Sequence, residues 1–303
     1  MKKVLITICC ATLVFAGCKE HDTPIDFGTA VVAGSDSTYK LASVPATQPH
    51  NVLVEEFTGQ DCANCPAAHS ILDVIAAGSA GRINIVSLYF TGGPQTFPPG
   101  NAIYDFRDSF ATNISNNLYP SISALPSAGI DRTPYQSQLV LQGSALWGAA
   151  ISAQEDLIDS VNLGISSSYN STTGIVTITD TVTYTQNVTT QQNISIYIVE
   201  DSLKDEQADN REVSGYDTAY IFNDVFRAMI ATPLTGDPIL NSMAVKPAGQ
   251  VYWRKYTFNP ATTLSGATKI INPLHCRVIA FINNTGTGSD YRVLQSVQCP
   301  LVP

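Results

Sequence analysis

Apolar and polar positions along the chain fall into two regimes. Between 50 and 160, apolar runs alternate with helix-like stripes. "NVLVEEF" (51–57) and "INIVSLYF" (83–90) are β-prone and read as buried strands, and "LPSAGIDR" (125–132) reads as a strand entered through Pro126. Between the first two, "PAAHSILDVIAAG" places Ile71, Leu72 and Ile75 at helical spacing, with Pro66 suited to a first turn and Gly78 to a stop. Further helices are predicted around 102–114 and over roughly 144–159. The order β-α-β-α-β-α predicts an α/β domain over 50–160.

After Val161 the texture changes. "GIVTITDTVTYT", "NISIYIVED", "QVYWRKYTF", "CRVIAFIN" and "YRVLQSVQC" are strand-like, several with period two, separated by Asn, Gly, Asp and Thr. Residues 161–303 therefore predict an all-β, immunoglobulin-like sandwich. "DSLKDEQADNRE" is acidic, lacks the central glycine of an EF-hand loop and reads as a solvated loop. Trp147 and Trp253 sit in apolar stretches and are expected in the core. Residues 18–49 are polar and broken by Pro24, Pro45 and Pro49; they read as a tether, with a short strand near 30–32.

The start of the chain changes the cellular picture. Lys2 and Lys3 precede an apolar run, Val4 to Phe15, too short to span a bilayer. Phe15-Ala16-Gly17-Cys18 is similar to a bacterial lipobox, with Phe where Leu is usual. The expectation is a signal peptide over 1–17 and an acylated Cys18, bearing lipid such as palmitate, as membrane anchor. The alternative is an ordinary secretory signal. No later segment reaches 18 apolar residues. Without residues 1–17 the chain holds 14 basic and 25 acidic residues, a net charge of −11. That charge excludes nucleic acid as a partner, whose binding requires Lys and Arg against phosphate.

Of seven cysteines, four lie beyond the signal and anchor, as two local pairs: Cys62 with Cys65, and Cys276 with Cys299. "NNTGTGSD" reads as the tip of the last hairpin, and pairing 282 with 293 sets Cys276 opposite Cys299. A structural disulfide is expected there, with free thiols as the alternative. "FTGQDCANCPAAHS" (57–70) carries the other pair, open to three readings: a redox couple, half a metal site, or a staple. His69 gives the spacing C-x2-C-x3-H, but a structural zinc site needs a second ligand pair, and none lies nearby. His69 then reads as a solvent-facing helix residue. Haem attachment requires His where Pro66 stands. His21, His50, His69 and His275 show no hydrolase-triad spacing, and no phosphate-binding glycine loop is present. No cofactor and no metal are expected.

The strand, short loop, CxxC and helix resemble the thioredoxin fold. That resemblance implies that Cys62 is the attacking thiolate, stabilised by a helix N-terminus, and that Cys65 resolves the mixed disulfide. It also implies that Glu56, six residues before Cys62, is a buried proton carrier, and that Pro126 is a cis-proline beside the pair. Asp61 stands where thioredoxins carry tryptophan, and its charge opposes a low thiol pKa. The inner dipeptide, Ala63-Asn64, lacks proline.

Over residues 50–303 the chain resembles the outer-membrane-protein-28-related lipoproteins of Bacteroidetes, through "VLVEEFTGQDCANCPAAHSIL", "LPSAGIDR", "YIFNDVFRAMIATPLTG" and "VIAFINNTGTGSDYRVLQSVQ". The resemblance implies an outer-membrane location, and Lys19-Glu20 after Cys18 resembles a surface-export signal. The expected protein is thus a lipid-anchored envelope lipoprotein with a thioredoxin-like domain, exchanging thiols with a protein partner or thiol substrate. The alternative is a surface binding or adhesion lipoprotein in which the CxxC is only a structural disulfide.

Overall fold

The computed structural model describes residues 34–119, 122–230, 234–260, 272–285 and 290–303. Cys18, the signal segment and the strand expected near 30–32 lie outside the described residues. The elements are β1 (Asp36–Lys40), β2 (Val52–Thr58), α1 (Cys65–Gly78), β3 (Ile83–Tyr89), α2 (Ser109–Leu118), β4 (Ser127–Ile130), β5 (Leu141–Gln142) and α3 (Trp147–Glu155). They continue with β6 (Val161–Asn170), β7 (Ile175–Tyr184), β8 (Gln192–Glu200), β9 (Leu203–Ala208), β10 (Tyr216–Phe222), β11 (Val225–Met229), β12 (Asp237–Ile239), β13 (Gln250–Phe258), β14 (Cys276–Asn284) and β15 (Val293–Pro300).

A nine-stranded mixed sheet forms the spine, in the order β15-β14-β8-β11-β3-β2-β4-β5, with β12 also on β8. Its central strands β2, β3, β8 and β11 are buried on both faces, as continuous apolar runs require. One face carries α1 and α3 over β2 to β5, joined by Leu72, Ile85, Trp147 and Ile151. Farther along, the same sheet meets the four-stranded sheet β1-β13-β7-β6 as a sandwich, with Ile178, Ile196, Tyr256 and Val278 in its core. The opposite face packs against α2 through Phe57, Leu88, Ile114 and Phe281. Strands β9 and β10 form a separate two-stranded ribbon.

This overturns the expected fold class, a thioredoxin-like α/β domain followed by an immunoglobulin-like sandwich. The molecule is mainly a β-sandwich with three α-helices among the described residues, and no distinct thioredoxin-like domain stands at its N-terminal end. Strand β3 pairs on one side with β2 and on the other with β11, Ser87 opposite Val225, so both halves of the sequence share one sheet. An unpaired edge on β3 would leave a row of unused N–H and C=O groups; β11 takes it.

Three local expectations also change. Residues 36–40, placed in the tether, form the edge strand β1 on β13. The helix expected from 102 starts only at Ser109, where the Asp108 side chain caps it by accepting from the N–H groups of Phe110 and Ala111. The backbone before it is tied instead to Asp205, whose carboxylate accepts from Ile103 and Tyr104 N–H. Finally, Cys276 and Cys299 are free thiols. The hairpin pairs Val278 with Cys299 and carries a bulge at Ile282/Asn283, a register two residues from the expected one. The two cysteines are therefore diagonal neighbours, roughly 7–8 Å apart in such a ladder, beyond the reach of about 4.4–6.8 Å that a disulfide allows.

Candidate functional site

Strand alternation sets the floor of the site. On β2, Leu53, Glu55 and Phe57 face α2, while Val52, Val54, Glu56 and Thr58 face α1. Both glutamates are buried, but they serve opposite faces. Glu55 is an ion-pair partner: Arg132 donates to it from Nε at 2.9 Å and from Nη2 at 2.7 Å, and Tyr119 donates at 2.5 Å. Tyr119 packs where a Cβ on Gly129 would stand 2.2 Å from its ring, so Gly129 makes this approach possible. Arg132 and Asp131 both adopt left-handed backbone, with φ of 50° and 47°. This turn sends Arg132 to Glu55 and Asp131 to His50, whose ring also meets Asp159; both contacts are 2.7 Å.

After β2, residues 59–64 form the loop that carries the cysteine pair. Gly59 lies so close to the Gln95 carbonyl that a Cβ would sit 2.2 Å from its oxygen. Cys62 and Cys65 are joined in a disulfide with a Cα separation of 5.4 Å. Helix α1 begins at Cys65, with Pro66 in its first turn as expected; Cys62 lies in the turn before it. Cys62 is 1% exposed and Cys65 is fully buried. The cover is the ribbon of β9 and β10. Gln207 Nε2 donates to the carbonyls of Gly59 and Cys62, both at 3.2 Å. Ala208 N–H donates to Gln60 O at 2.9 Å and Asn210 N–H to Ala63 O at 3.0 Å. Tyr216 donates to Asp61 at 3.2 Å. The segment expected to be a solvated acidic loop is thus a strand pressed onto the disulfide, with Asp205, Glu206 and Gln207 buried.

The four residues assigned to redox chemistry are placed as follows. Cys62 and Cys65 are bonded and covered. The Leu125–Pro126 peptide is cis, directly before β4, whose Ser127 pairs with Phe57. Glu56 is buried and turned toward β3 and α1, where Ser87 donates to Oε2 at 3.2 Å. Its Oε1 lies 3.3 Å from His69 Nε2. His69 is not solvent-facing: its ring nitrogens meet the Thr58 hydroxyl at 3.0 Å and the Tyr220 hydroxyl at 2.7 Å. Burial holds the Glu56 carboxyl well above the usual carboxylate range, and the charges of Asp224 and Asp73 add to this. Burial, with Arg211 nearby, pushes His69 down to about 4. Both shifts are in the direction of the neutral forms, because burial penalises charge on either group.

Between β2, β3, α1 and the end of the ribbon lies a cleft of about 40 Å³, lined by Glu56, His69, Asp73, Ser87, Tyr220 and Asp224 among others. That is room for more than one ordered water, at roughly 10–15 Å³ each. His69, Leu72 and Asp73 follow Cys65 at helical spacing. This pattern was available in the sequence, but it gains meaning only once Glu56 is known to face the same side. The contributions of Tyr220 and Asp224 come from 150 residues away and carry no local signal. Among the described residues, no three His, Cys, Asp or Glu side chains are grouped to hold a metal ion, and no helix is long and apolar enough to cross a membrane.

A family model for outer membrane protein Omp28 matches residues 115–300, more than half of the chain. The chain belongs to the Omp28 outer membrane protein family. The match takes in most of the sandwich and the ribbon, while β1 to β3 and Cys62–Cys65 precede it. An outer-membrane or envelope location accompanies this membership. Among solved structures, the chain is similar to HBP35 of Porphyromonas gingivalis, with a TM-score of 0.62, 14% identity, and coverage of 85% of this chain and 77% of that one. At that identity the likeness is one of fold. A protein of Agrobacterium tumefaciens aligns at a TM-score of 0.46 and 13% identity, over 85% of this chain and 96% of that one. No curated protein matches the chain.

Proposed function

We propose that this Omp28-family chain is a lipid-anchored envelope protein that works by binding, and that Cys62–Cys65 is a structural staple, not a redox couple. One observation carries the reading: the ribbon lies over the pair and leaves Cys62 1% exposed. Attack on a substrate disulfide requires an accessible thiolate, because the incoming sulfur must approach in line. Here Cys62 is covered, and Gln207 and the β9 backbone are hydrogen-bonded to the loop that carries it. The staple acts locally, fixing the loop whose carbonyls receive the ribbon. Closing a loop this short contributes about 2 kcal/mol by the chain-entropy relation. The anchor is assigned to Cys18 because of the apolar run and the small residues before it.

The test is the reduction potential of the Cys62–Cys65 couple, together with a Cys65→Ser variant used to trap mixed disulfides in envelope extracts. A potential below about −300 mV, typical of structural disulfides, with no trapped partner supports the staple. A potential in the range of exchange catalysts, with a defined trapped partner, overturns it. Labelling with radioactive palmitate, lost in Cys18→Ser, tests the anchor.

A further inference from the structure

The cleft between β2, β3 and α1 holds an unpartnered acid. Its floor is Glu56, 1% exposed, whose Oε1 accepts no hydrogen bond. The nearest donor candidate, His69 Nε2, stands at 3.3 Å and is already engaged with the Thr58 hydroxyl at 3.0 Å. A second carboxylate, Asp73, sits at the exposed mouth of the cleft, and Asp224 forms its far wall. None of the lining residues is Lys or Arg. Asp224 is already paired with Arg277, which also binds Asp201, and Arg211 pairs with Asp209, so Glu56 and Asp73 are the cleft acids without a cationic partner. Tyr89, Tyr220 and Phe222 are among the lining residues.

Carboxyl groups without a cationic partner, here Glu56 and Asp73, beside aromatic residues favour an organic cation, through ion pairing and attraction to ring faces. The acids do not converge on a single point as metal ligands would. The volume of about 40 Å³ suits a group of a few heavy atoms.

We propose that this cleft binds a small primary alkylammonium ion, its nitrogen against Glu56 Oε1 and its methylene groups against the aromatic wall. The inference deepens the reading of the chain as a binding protein, yet the two fail separately. Redox turnover would overturn the staple and leave the cleft untouched; an empty cleft would leave the staple untouched.

Binding has a proton signature. The groups facing Glu56 are His69 and Asp73 from α1, Ser87 and Tyr89 from β3, and Tyr220 and Asp224 from the ribbon and its end. None of these supplies positive charge, and Arg211 and Arg277 act only from behind their own partners. Glu56 therefore keeps its proton in the empty cleft and gives it up when the ammonium enters. The experiment is calorimetric titration of the full chain with ethylammonium chloride, in two buffers of different ionisation enthalpy, with ethanol as neutral isostere. Expected are saturable binding of ethylammonium but not ethanol, net release of protons on binding, and affinity that rises with pH. Glu56→Gln should weaken binding at least tenfold. Asp73→Asn, at an exposed position, should weaken it severalfold without disturbing the fold. Absence of saturable binding, equal binding of ethanol, or unchanged binding in both variants would overturn the proposal.

Discussion

Burial of the disulfide is a quantitative statement about the ribbon, and Phe222 is the place to test it. Phe222 is 1% exposed at the end of β10 and packs with Tyr89, Phe106, Leu203 and Val225 in a small core beneath the ribbon. Its ring stands 4.9 Å from that of Phe106 and 4.8 Å from that of Tyr220. Truncating a buried phenylalanine to alanine costs about 3–5 kcal/mol. The ribbon is a two-stranded unit of its own, so most of this loss should fall on its local opening and little on the main sheet. Taking roughly 3 kcal/mol, at 1.36 kcal/mol per tenfold, Phe222→Ala should raise the open fraction on the order of a hundredfold. The assay is the rate at which dithiothreitol reduces Cys62–Cys65, followed by alkylation and mass measurement. The natural chain should be reduced far more slowly than an unstructured peptide disulfide, and Phe222→Ala about a hundred times faster than the natural chain, with far-ultraviolet dichroism unchanged. Equal rates for the natural chain and the peptide, or for the variant and the natural chain, would refute the view that the ribbon is what covers the pair.

Two further outcomes follow from the buried charges. For His50, burial alone would lower the pKa, but the hydrogen bonds and charges of Asp131 and Asp159 overcome it and raise it to about 10. The folded state thus holds this proton more tightly than the unfolded chain, whose histidine titrates near 6.5. The stabilisation, on the order of a few kcal/mol, is complete below pH 6.5 and is lost as pH rises through about 10; urea midpoints measured from pH 6 to 10 should fall, and fall less in His50→Gln. Arg132→Met, which strands the Glu55 carboxylate beneath α2, should lower unfolding free energy by about 3–5 kcal/mol, with part recovered by adding Glu55→Gln; urea denaturation measures both, and a loss under 1 kcal/mol would contradict the pairing.

The elements themselves were largely legible in the chain. The run "VLVEEF" is a strand because its apolar and β-branched side chains are buried on both faces, and Pro66 sits in the first turn of α1, where its missing N–H costs little; the helix ends at Gly78, with Ser79 as its cap. Trp147 was rightly expected in the core, and the last hairpin was found, though not its register. Asn283, not Ile282, faces Val293, one residue from the expected register, and the bulge at Ile282/Asn283 adds the second; neither step leaves a trace in composition. The strand β9 was hidden for a different reason. "LKDEQA" has few apolar residues, because its buried polar groups are satisfied by distant backbone, such as Ile103 and Tyr104 N–H or the Gly59 carbonyl.

The sequence by itself determined which stretches are strands and helices, which cysteines are close enough in the chain to bond, and the acidic, envelope-directed character of the protein. These are local properties, fixed by side-chain period, backbone preference and charge. Only the tertiary structure decided that both halves share one sheet, that a polar ribbon from residues 203–222 closes over Cys62, and that Glu56 faces an acidic, aromatic-walled cleft completed by Tyr220 and Asp224. Those facts depend on which edges pair and which faces meet across more than a hundred residues, and such pairings are chosen by the packing of the whole molecule.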